Sequence, residues 1–340
     1  HFVVDGEDWW DDEERALDFE DAADRARCEI DLAVVSVLLD AGAGPDWRYE
    51  SEHGPVLRRS EGLAIASLDM FEKGYFSSAE MDPWRADCEG LKRVDANLLA
   101  EGFKVSATNP LVGLEGRAAL LNALGRAVGA RPSVFGRHGA PRPGGLYDHF
   151  RRIAKGGPLK AATILETVLE QFGPIWPSRL SLGGVALGDC WRHRLIATDD
   201  ATSGLVPFHK LSQWLTYSLI EPLQRAHLDI VDVDELTGLP EYRNGGLFVD
   251  GGALILRDPA QAGIAHAPDS ELIVEWRALT VALLDEIAAL VRARLGMDRA
   301  SLPLAKVLEG GTWATGRLLA KERREGGGPP LNIASDGTVF

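Results

Sequence analysis

Residues 30–40 read Ile-Asp-Leu-Ala-Val-Val-Ser-Val-Leu-Leu-Asp, and their pattern decides the fold class of the chain. Apolar residues recur in this stretch at spacings of three and four, which is typical of the buried face of a helix. These residues are Ile30, Ala33, Val34, Val37 and Leu38. Gly42 to Pro45 follow and predict the end of that helix. The nearly apolar run from Leu32 to Leu39 is far below the ~18 residues that a membrane-spanning helix needs, so no contact with a membrane is expected.

The same periodicity recurs along the chain and predicts further helices, most of them bracketed by Gly, Pro or Asn. They are expected at about residues 60–72, 90–101, 115–128, 158–172, 208–221, 276–295 and 302–324. Strand signals are few. Residues 246–249 and 253–256, joined by Asp250-Gly251-Gly252, predict a hairpin, and residues 272–274 predict a short strand. The chain is therefore expected to be mainly α, with a small β-hairpin or sheet.

The segment from Arg131 to Gly145 is rich in proline and glycine and is the strongest candidate for a boundary between two lobes. It fits either a linker or an ordered lid. We therefore predict one two-lobed unit over residues 1–340, with a helical N-terminal lobe at 1–130, a connection at 131–145 and a catalytic lobe at 146–340.

The 340 residues carry a formal net charge of −15, and residues 1–24 hold eleven acidic side chains against Arg15 alone. Neither this balance nor any cluster of Lys and Arg provides the basic stripe that a nucleic-acid-binding protein needs. Nucleic acid is therefore not an expected partner. A small anionic ligand is compatible with the charge, because a few cations that converge in one pocket can oppose the global sign.

The three cysteines, Cys28, Cys88 and Cys190, are odd in number and widely separated. They lack both the CxxC spacing of a zinc site and the density of a disulfide scaffold. Cys190 and His193 form one Cys-x-x-His pair, but a pair without a second pair is a weak metal signal, and packing is the favoured interpretation. The chain shows no signal peptide, so we expect a reducing, cytoplasmic location.

Residues 206–222 form the most informative motif, with Pro207 suited to the start of a helix and Pro222 to its end. At helical spacing, one face carries a polar stripe with an aromatic ring beside it. This face comprises Lys210, Gln213, Trp214, Tyr217 and Glu221. Because a solvated face usually holds several flexible charges, this composition favours the wall of a binding pocket. The alternative is an amphipathic helix whose Tyr and Gln satisfy buried neighbours.

A second motif places Glu241, Tyr242 and Arg243 between Pro240 and Gly245-Gly246. The pattern predicts a rigid loop that presents a carboxylate, a phenol and a guanidinium, and such loops often carry catalytic groups. The alternative is an ion pair between Glu241 and Arg243 that only fixes the loop.

A third cluster, residues 271–277, sets charges on either side of a short apolar run and ends in Trp276-Arg277. Here a structural salt bridge is at least as well supported as a contact with substrate. The chain has no GxSxG, GxxxxGK[ST], GxGxxG or HExxH motif. The sequence therefore does not predict a common serine hydrolase, a nucleotide-binding protein or a metalloprotease of these classes. What is left is carboxylate-assisted chemistry, with neither a cofactor nor a metal expected.

Blocks along nearly the whole chain resemble the uracil catabolism protein 4 family of bacteria and fungi. The most specific is Pro-Phe-His-Lys-Leu-Ser-Gln-Trp-Leu-Thr-Tyr-Ser-Leu at residues 207–219, and others are residues 30–49, 109–117, 187–193, 236–250, 274–280 and 335–340. The resemblance implies a role in a uracil breakdown route that passes through the nucleotide level and releases urea.

The last third also resembles, more distantly, the queuosine salvage family of N-glycosylases, which act on queuosine 5′-phosphate. The matching blocks are residues 209–213, residues 240–243 followed by 252–254, and Glu275-Trp276-Arg277. This resemblance implies a helical, DNA-glycosylase-like fold, in keeping with residues 111–121, which look like a helix-hairpin-helix turn. It puts Lys210, Glu241, Tyr242 and Arg243 in the site. Glu241 stands where that family has Asp, and Leu211 where it has Arg, which implies a different substrate.

Together these observations predict an N-glycosidase that cleaves a ribosylurea, with the 5′-phosphate form expected, to urea and ribose 5-phosphate. Glu241 is the first choice for the catalytic carboxylate and Asp250 the second. The residues expected to bind the substrate are His209, Lys210, Gln213, Trp214, Tyr217, Tyr242, Arg243, Trp276 and Arg277. The alternatives are an amidohydrolase or deaminase that acts on a pyrimidine-derived intermediate, and a non-catalytic scaffold that associates with other enzymes of the pathway.

Overall fold

The computed structural model describes residues 2–4, 7–51, 54–136, 139–177 and 179–334. Within these ranges helices predominate and strands occur only as short pairs, so the prediction of a mainly α fold with little sheet is confirmed. None of the described helices is both long and apolar enough to cross a bilayer. The last motif of the family resemblance, residues 335–340, lies outside the described residues.

The chain divides into two compact units. Unit 1 comprises His1–Pro177 and Trp214–Val231, and unit 2 comprises Ser178–Gln213 and Asp232–Ser335. The Pro- and Gly-rich segment 131–145 belongs to unit 1.

Unit 1 is built around one buried helix. Its helices in chain order are α1 (Trp9–Glu14), α2 (Ala22–Leu39), α3 (Arg59–Glu72), α4 (Cys88–Lys92), α5 (Ala96–Gly102), α6 (Leu114–Gly129), α7 (Pro132–Phe135), α8 (Gly145–Ala154) and α9 (Ala161–Phe172). The predicted helix at residues 30–40 is confirmed as the second half of α2. That half is buried on all sides, and α2 packs against α3, α6 and α8. The predicted helix at 90–101 is wrong as a single element, since α4 and α5 cap separately on Asp87 and Asp95.

One acid of α2, Asp31, is fully buried. Asp31 accepts hydrogen bonds from the Arg142 guanidinium at 2.7 Å and from the amides of Gly144 and Ala86 at 2.5 and 3.0 Å. Burial raises the pKa of Asp31, and the charge of Arg142 opposes that rise. The segment 131–145 is thereby tied to the centre of unit 1.

Helix α10 (Lys210–Arg225) contributes residues to both units. Its residues up to Gln213 belong to unit 2, and those from Trp214 onward belong to unit 1. The prediction that Pro222 ends this helix is wrong, because the helix continues for three residues past it. Pro222 removes one amide donor, but the Ala226 amide still donates to the Pro222 carbonyl at 3.2 Å. Pro207 does not start the helix either; it lies in a strand, Leu205–Pro207.

Unit 2 contains α11 (Tyr242–Asp250), α12 (Glu271–Leu295), α13 (Leu304–Val307) and α14 (Ala314–Arg323). A π-helical stretch, Leu308–Trp313, separates the last two, so the predicted helix at 302–324 is interrupted. Short 3₁₀ turns lie at Val233–Glu235, Pro259–Gly263 and Glu325–Gly327, and one in unit 1 lies at Gly173–Ile175.

The strands form two-stranded pairs. The antiparallel pairs join Val3–Val4 to Glu7–Asp8, Arg48–Glu50 to Val56–Arg58, Ser181–Leu182 to Val185–Ala186, and Cys190–Arg192 to Leu205–Pro207. The parallel pairs join Leu159–Lys160 to Ile230–Val231, and Ala265–His266 to Asn332–Ile333.

The predicted hairpin at residues 246–256 is wrong, because residues 242–250 form α11. The side chain of Glu241 caps that helix, and this local bond favours helix over strand. The predicted strand at 272–274 is also wrong. That run is part of the first turns of α12, and an apolar run of three residues has too few positions to separate the two periods.

Two glycines let α11 approach its neighbours closely. A Cβ at Gly245 would stand 2.8 Å from atoms of Thr280 and Trp276 in α12, and one at Gly316 in α14 would collide with the carbonyl of Arg243. Helix α11 is therefore fixed between α12 and α14, and so is the residue that caps its first turn.

Candidate active site

A buried carboxylate, Asp189, organises the start of α10. Its two oxygens accept a bidentate pair from the Arg277 guanidinium at 2.7 and 2.8 Å. They also accept the Lys210 amide at 3.0 Å and the Trp191 indole N–H at 2.6 Å. Burial alone would raise the pKa of Asp189, but the charge and hydrogen bonds of Arg277 outweigh it and hold that pKa well below its usual range. Asp189 is therefore an ionised structural anchor.

Arg277 extends this anchor toward α11. Its guanidinium is 1% exposed and lies over the Phe208 ring, 4.2 Å from the centroid. Its Nε donates to the carbonyl of Pro240 at 3.2 Å. One guanidinium thus fixes both Asp189 and the residue that precedes Glu241, so Arg277 positions the site.

Glu241 is a buried carboxylate at the N-cap of α11. Its Oε2 accepts the Arg243 amide and its Oε1 accepts the Asn244 amide, both at 2.6 Å. Burial raises the pKa of Glu241; the two amides and the positive charges of Lys210 and Arg243 oppose the rise without cancelling it. The carboxylate is held in a fixed orientation, and burial of its negative charge costs free energy.

Three polar side chains lie at the start of α10: His209, Lys210 and Gln213. His209 has a left-handed backbone with φ of 47°, and burial lowers the pKa of its ring. Lys210 is 5% exposed, and its ammonium is close enough to act on Glu241. Gln213 is 7% exposed, and its Oε1 is buried without a hydrogen-bond partner among the described residues.

The other residues of unit 2 that were predicted to belong to the site lie on α11 and α12. Tyr242 and Arg243 are in the first turn of α11, where the Arg243 guanidinium lies 5.0 Å from the Tyr242 ring centroid and donates to the Gly327 carbonyl at 3.0 Å. Trp276 packs against α11 and donates to the Gly245 carbonyl at 3.0 Å.

Asp250, at the far end of α11, accepts hydrogen bonds from both Nη atoms of Arg324 at 2.7 and 2.5 Å. Because the guanidinium of Arg324 directly balances the charge of Asp250, Glu241 is the better supported catalytic candidate.

Trp214 and Tyr217 lie in unit 1, unlike the residues above, which lie in unit 2. Both are half-buried on α10, and Tyr217 lines a cavity in unit 1 together with Glu221. The sequence therefore located the polar stripe, but the structure distributes its members between two units.

Two residues at the site were not predicted to have a role. Asp189 directly precedes Cys190, within the block 187–193 of the family resemblance, and its bond to Arg277 spans 88 positions of sequence, which no local pattern reveals. Asn244 is 1% exposed and bonds to the Leu239 carbonyl and the Thr312 hydroxyl at 3.3 and 2.8 Å. The signal that could have identified Asn244 is its position three residues after Glu241, which the structure shows to be the N-cap of α11.

Cys190 and His193 form the Cys-x-x-His pair of the sequence. Among the described residues, no group of three or more His, Cys, Asp and Glu side chains is arranged to hold a metal ion. Cys190 is 3% exposed, and burial raises the pKa of its thiol.

Comparisons with known proteins give a family and two similar curated relatives. Residues 1–340 match a family described as protein of unknown function (DUF1688). The chain is 45% identical over 315 residues to "Protein urg3" of Schizosaccharomyces pombe, an alignment that covers 92% of this chain and 75% of that protein. It is 39% identical over 349 residues to "Uracil catabolism protein 4" of Lachancea kluyveri, covering 94% of this chain and 78% of that protein. The whole-chain resemblance found in the sequence is confirmed.

Proposed function

Because the chain belongs to the DUF1688 family, and a relative of it is named for uracil catabolism, we propose that it acts in uracil catabolism. We assign it the hydrolysis of the N-glycosidic bond of a ribosylurea, in the 5′-phosphate form, to urea and ribose 5-phosphate. The observation that carries this assignment is the buried carboxylate of Glu241, oriented by two backbone amides near the ammonium of Lys210. The distant likeness to N-glycosylases of queuosine 5′-phosphate suggests the same class of reaction.

The reaction breaks the bond between C1′ of the ribose and a urea nitrogen. As that bond lengthens, positive charge develops on C1′ and the ring oxygen, and a fixed carboxylate beside them stabilises it. Water then forms the new C1′–O bond, and a proton passes to the urea nitrogen. Each oxygen of Glu241 accepts one amide, and a carboxylate offers about four lone-pair sites, so acceptor capacity is left for substrate.

Urea is a reluctant leaving group, so the groups that contact it affect the rate. Urea presents N–H donors, and the unpartnered buried Oε1 of Gln213 is an acceptor that suits one of them. His209 is neutral near pH 7, because burial lowers its pKa, and a neutral imidazole both donates and accepts. Gln213 and His209 are our candidates for the urea end of the substrate, and Tyr242 is a further donor.

Lys210 and Arg243 are our candidates for the phosphate. A guanidinium carries five donors, and within the described part of the chain the Arg243 guanidinium donates one hydrogen bond, to the Gly327 carbonyl, so a fork is left for phosphate oxygens. Lys210 contributes a point charge. Arg277 is not assigned to phosphate, since its bidentate pair with Asp189 occupies both terminal nitrogens.

The test is a panel of ribosylurea 5′-phosphate, ribosylurea, uridine 5′-phosphate and uridine, incubated with the purified chain and analysed for urea, uracil, ammonia and free sugar. We expect equimolar urea and ribose 5-phosphate from the first compound. Glu241→Gln should abolish the signal, while Asp250→Asn, the matching loss of an acid at the other end of α11, should keep it. Release of ammonia without free sugar would contradict the proposal and favour an amidohydrolase.

A further inference from the structure

Asn244 links Glu241 to a distant segment of unit 2. Its backbone amide donates to Oε1 of Glu241 at 2.6 Å, and its side-chain Nδ2 donates to the carbonyl of Leu239 at 3.3 Å. A carbonyl only accepts, so the Leu239 bond sets the orientation of the Asn244 side-chain amide and turns its Oδ1 toward Thr312. The Thr312 hydroxyl is therefore the donor in the 2.8 Å bond to that oxygen. A buried network runs from Thr312 through Asn244 to Glu241.

The hydrogen bond of Thr312 differs from those of two other buried threonines. The hydroxyls of Thr280 in α12 and Thr167 in α9 donate to the carbonyl four residues earlier in their own helix, at 2.7 and 2.9 Å. This is a common local bond of a threonine inside a helix. Thr312, which is 4% exposed, donates instead to a side chain 68 positions away in the sequence. Its hydroxyl thus stabilises a tertiary contact with α11 and not its own helical turn.

The backbone around Thr312 departs from α-helical geometry. Residues Leu308–Trp313 are π-helical, and such turns are rare and occur frequently at functional sites. A Cβ at Gly310 or Gly311 would meet no atom within 4 Å among the residues that the structure describes, so close packing does not require these two glycines. Because glycine is a poor helix former, the pair favours a local change of helical geometry. A π-helical turn holds more residues than an α-helical one, and here it places Thr312 beside Asn244.

The chain that follows Thr312 keeps this segment against the first turn of α11. A Cβ at Gly316 would collide with the carbonyl of Arg243, and the Arg243 guanidinium donates to the carbonyl of Gly327 at 3.0 Å. Helix α14 cannot slide along α11 without breaking these contacts. The position of the Thr312 hydroxyl relative to Asn244 is therefore fixed by packing on both sides.

We propose that Thr312 is a positioning residue, which acts on the candidate catalytic carboxylate of Glu241 through Asn244. This role rests on the proposed function, in which an ionised Glu241 stabilises positive charge on the ribosyl group. Because the side chain of Asn244 is held at both ends, its backbone amide stays aimed at Oε1 of Glu241. Without the Thr312 hydroxyl, Oδ1 of Asn244 is a buried acceptor that has lost its donor, and the side chain rotates to find another. The carboxylate then loses both orientation and stabilisation of its charge.

The test compares Thr312→Val, which keeps the shape of the side chain without its hydroxyl, with Thr312→Ser, which keeps the hydroxyl. Misplacement of a catalytic group costs up to ~100-fold in rate, so we expect kcat for ribosylurea 5′-phosphate to fall about tenfold in Thr312→Val, with KM nearly unchanged. Thr312→Ser should recover most of that loss. Thr280→Val is the matched control, because it removes a buried hydroxyl that also packs against α11 but bonds within its own helix. It should lower stability and leave kcat unchanged.

The second readout is the pKa of Glu241, measured by ¹³C NMR titration of side-chain carboxyl groups and assigned with Glu241→Gln. Burial raises this pKa, and the amides of Arg243 and Asn244 and the charges of Lys210 on α10 and Arg243 on α11 oppose the rise. The charge of Arg277 on α12 is paired with Asp189. Loss of the Asn244 bond should therefore raise the pKa of Glu241 further.

This pKa should be higher in Thr312→Val than in the parent protein, while Thr312→Ser and Thr280→Val should keep the parent value. A merely structural role of Thr312 would lower stability without moving the titration of Glu241. The titration needs no substrate, so it decides the role of Thr312 even if the parent protein does not cleave ribosylurea 5′-phosphate. That lack of cleavage would contradict the proposed function alone.

A further variant covers the case in which Thr312→Val fails to fold. Thr312→Cys and Thr312→Ser have nearly the same shape, but a thiol is a much weaker donor than a hydroxyl, so the pKa of Glu241 should be higher in Thr312→Cys. Two results would each overturn the positioning role: a folded Thr312→Val protein with the parent pKa of Glu241, or the same pKa in Thr312→Cys and Thr312→Ser.

Discussion

Asp189 and Glu241 are two buried acids of unit 2, each of which accepts a backbone amide at the start of a helix. Their surroundings act on them in opposite directions. Asp189 meets a guanidinium in a bidentate pair, and its pKa falls. Glu241 is held by amides, with Lys210 and Arg243 acting as nearby charges, and its pKa rises.

The difference separates a structural acid from a candidate catalytic one. Burial disfavours both charges, but only Asp189 has a contacting cation strong enough to reverse that cost. The charge of Glu241 is oriented yet remains costly, so an additional positive charge nearby would stabilise it. A ribosyl transition state supplies such a charge at C1′.

The largest expected effect comes from breaking the Asp189 pair. Asp189→Asn leaves the guanidinium of Arg277, which is 1% exposed, without its counterion. Removal of one partner from a buried pair costs about 3–5 kcal/mol. We expect the free energy of unfolding to fall by this amount, as measured by denaturation in guanidinium chloride.

Its control removes both charges. In the double variant Asp189→Leu with Arg277→Met no unpaired charge remains, so a good part of the lost stability should return. If Asp189→Asn alone left the unfolding midpoint unchanged, Asp189 would not be the anchor inferred from its contacts.

The next effect is on catalysis. Glu241→Gln keeps the size of the side chain and one acceptor oxygen but removes the negative charge. Loss of one preorganised electrostatic group typically costs ~2.7–4 kcal/mol, so we expect kcat for ribosylurea 5′-phosphate to fall about 100-fold or more. The melting temperature should move little, because the protein no longer buries a costly charge.

Asp250→Asn is the matched variant at the other end of α11. It breaks a pair with Arg324, which is 29% exposed, so it should lower stability modestly and leave kcat nearly unchanged. An active Glu241→Gln protein beside an inactive Asp250→Asn protein would transfer the catalytic role to Asp250.

A smaller effect concerns the phosphate. If Lys210 and Arg243 bind it, kcat/KM should favour ribosylurea 5′-phosphate over ribosylurea. A buried charged hydrogen bond is worth ~1.5–3 kcal/mol, so Lys210→Ala should shrink that preference by roughly ten- to a hundredfold. Steady-state kinetics with both substrates measures it, and equal use of both by the parent protein would rule out the phosphate role.

Most of the helical framework was predictable, because long amphipathic segments carry their period in the sequence. Helices α3, α6 and α12 appear close to their expected positions. The hairpin at residues 246–256 failed because its glycines and short apolar runs fit two structures. The choice between them depended on the side chain of Glu241 as a cap, which a pattern of apolar residues does not weigh.

The residues of the candidate site were likewise predicted only in part from the sequence. Lys210 and Glu241 were selected from local motifs and from a family resemblance, and the structure brings their charges close enough to interact. The Asp189–Arg277 pair was missed, since its two members are far apart in the chain and each lies in a segment with a simpler explanation. Long-range pairing of charges depends on tertiary structure, and a single sequence does not contain a local signal for it.

The smallest expected effect is the pH dependence of stability, and it tests the contrast between the two acids directly. The folded-state pKa of Glu241 is raised above its ordinary value of 4.5. A group of this kind contributes stability that is fully present below pH 4.5 and is lost as the pH rises through the folded-state pKa. Relative to Glu241→Gln, the parent protein should therefore gain stability as the pH falls from neutral to 4.5.

Asp189 should show the opposite sign. Its folded-state pKa lies below its ordinary value of 3.8, so its contribution is present above pH 3.8 and is lost as the pH falls through the folded-state value. The advantage of the parent protein over Asp189→Asn should thus be constant from neutral pH down to about 3.8 and shrink only in stronger acid. Unfolding midpoints of the three proteins across that pH range measure both trends. If the two variants gave the same slope between neutral pH and 4.5, the carboxylates would not differ as their contacts indicate, and the case for Glu241 as the poised acid would fail.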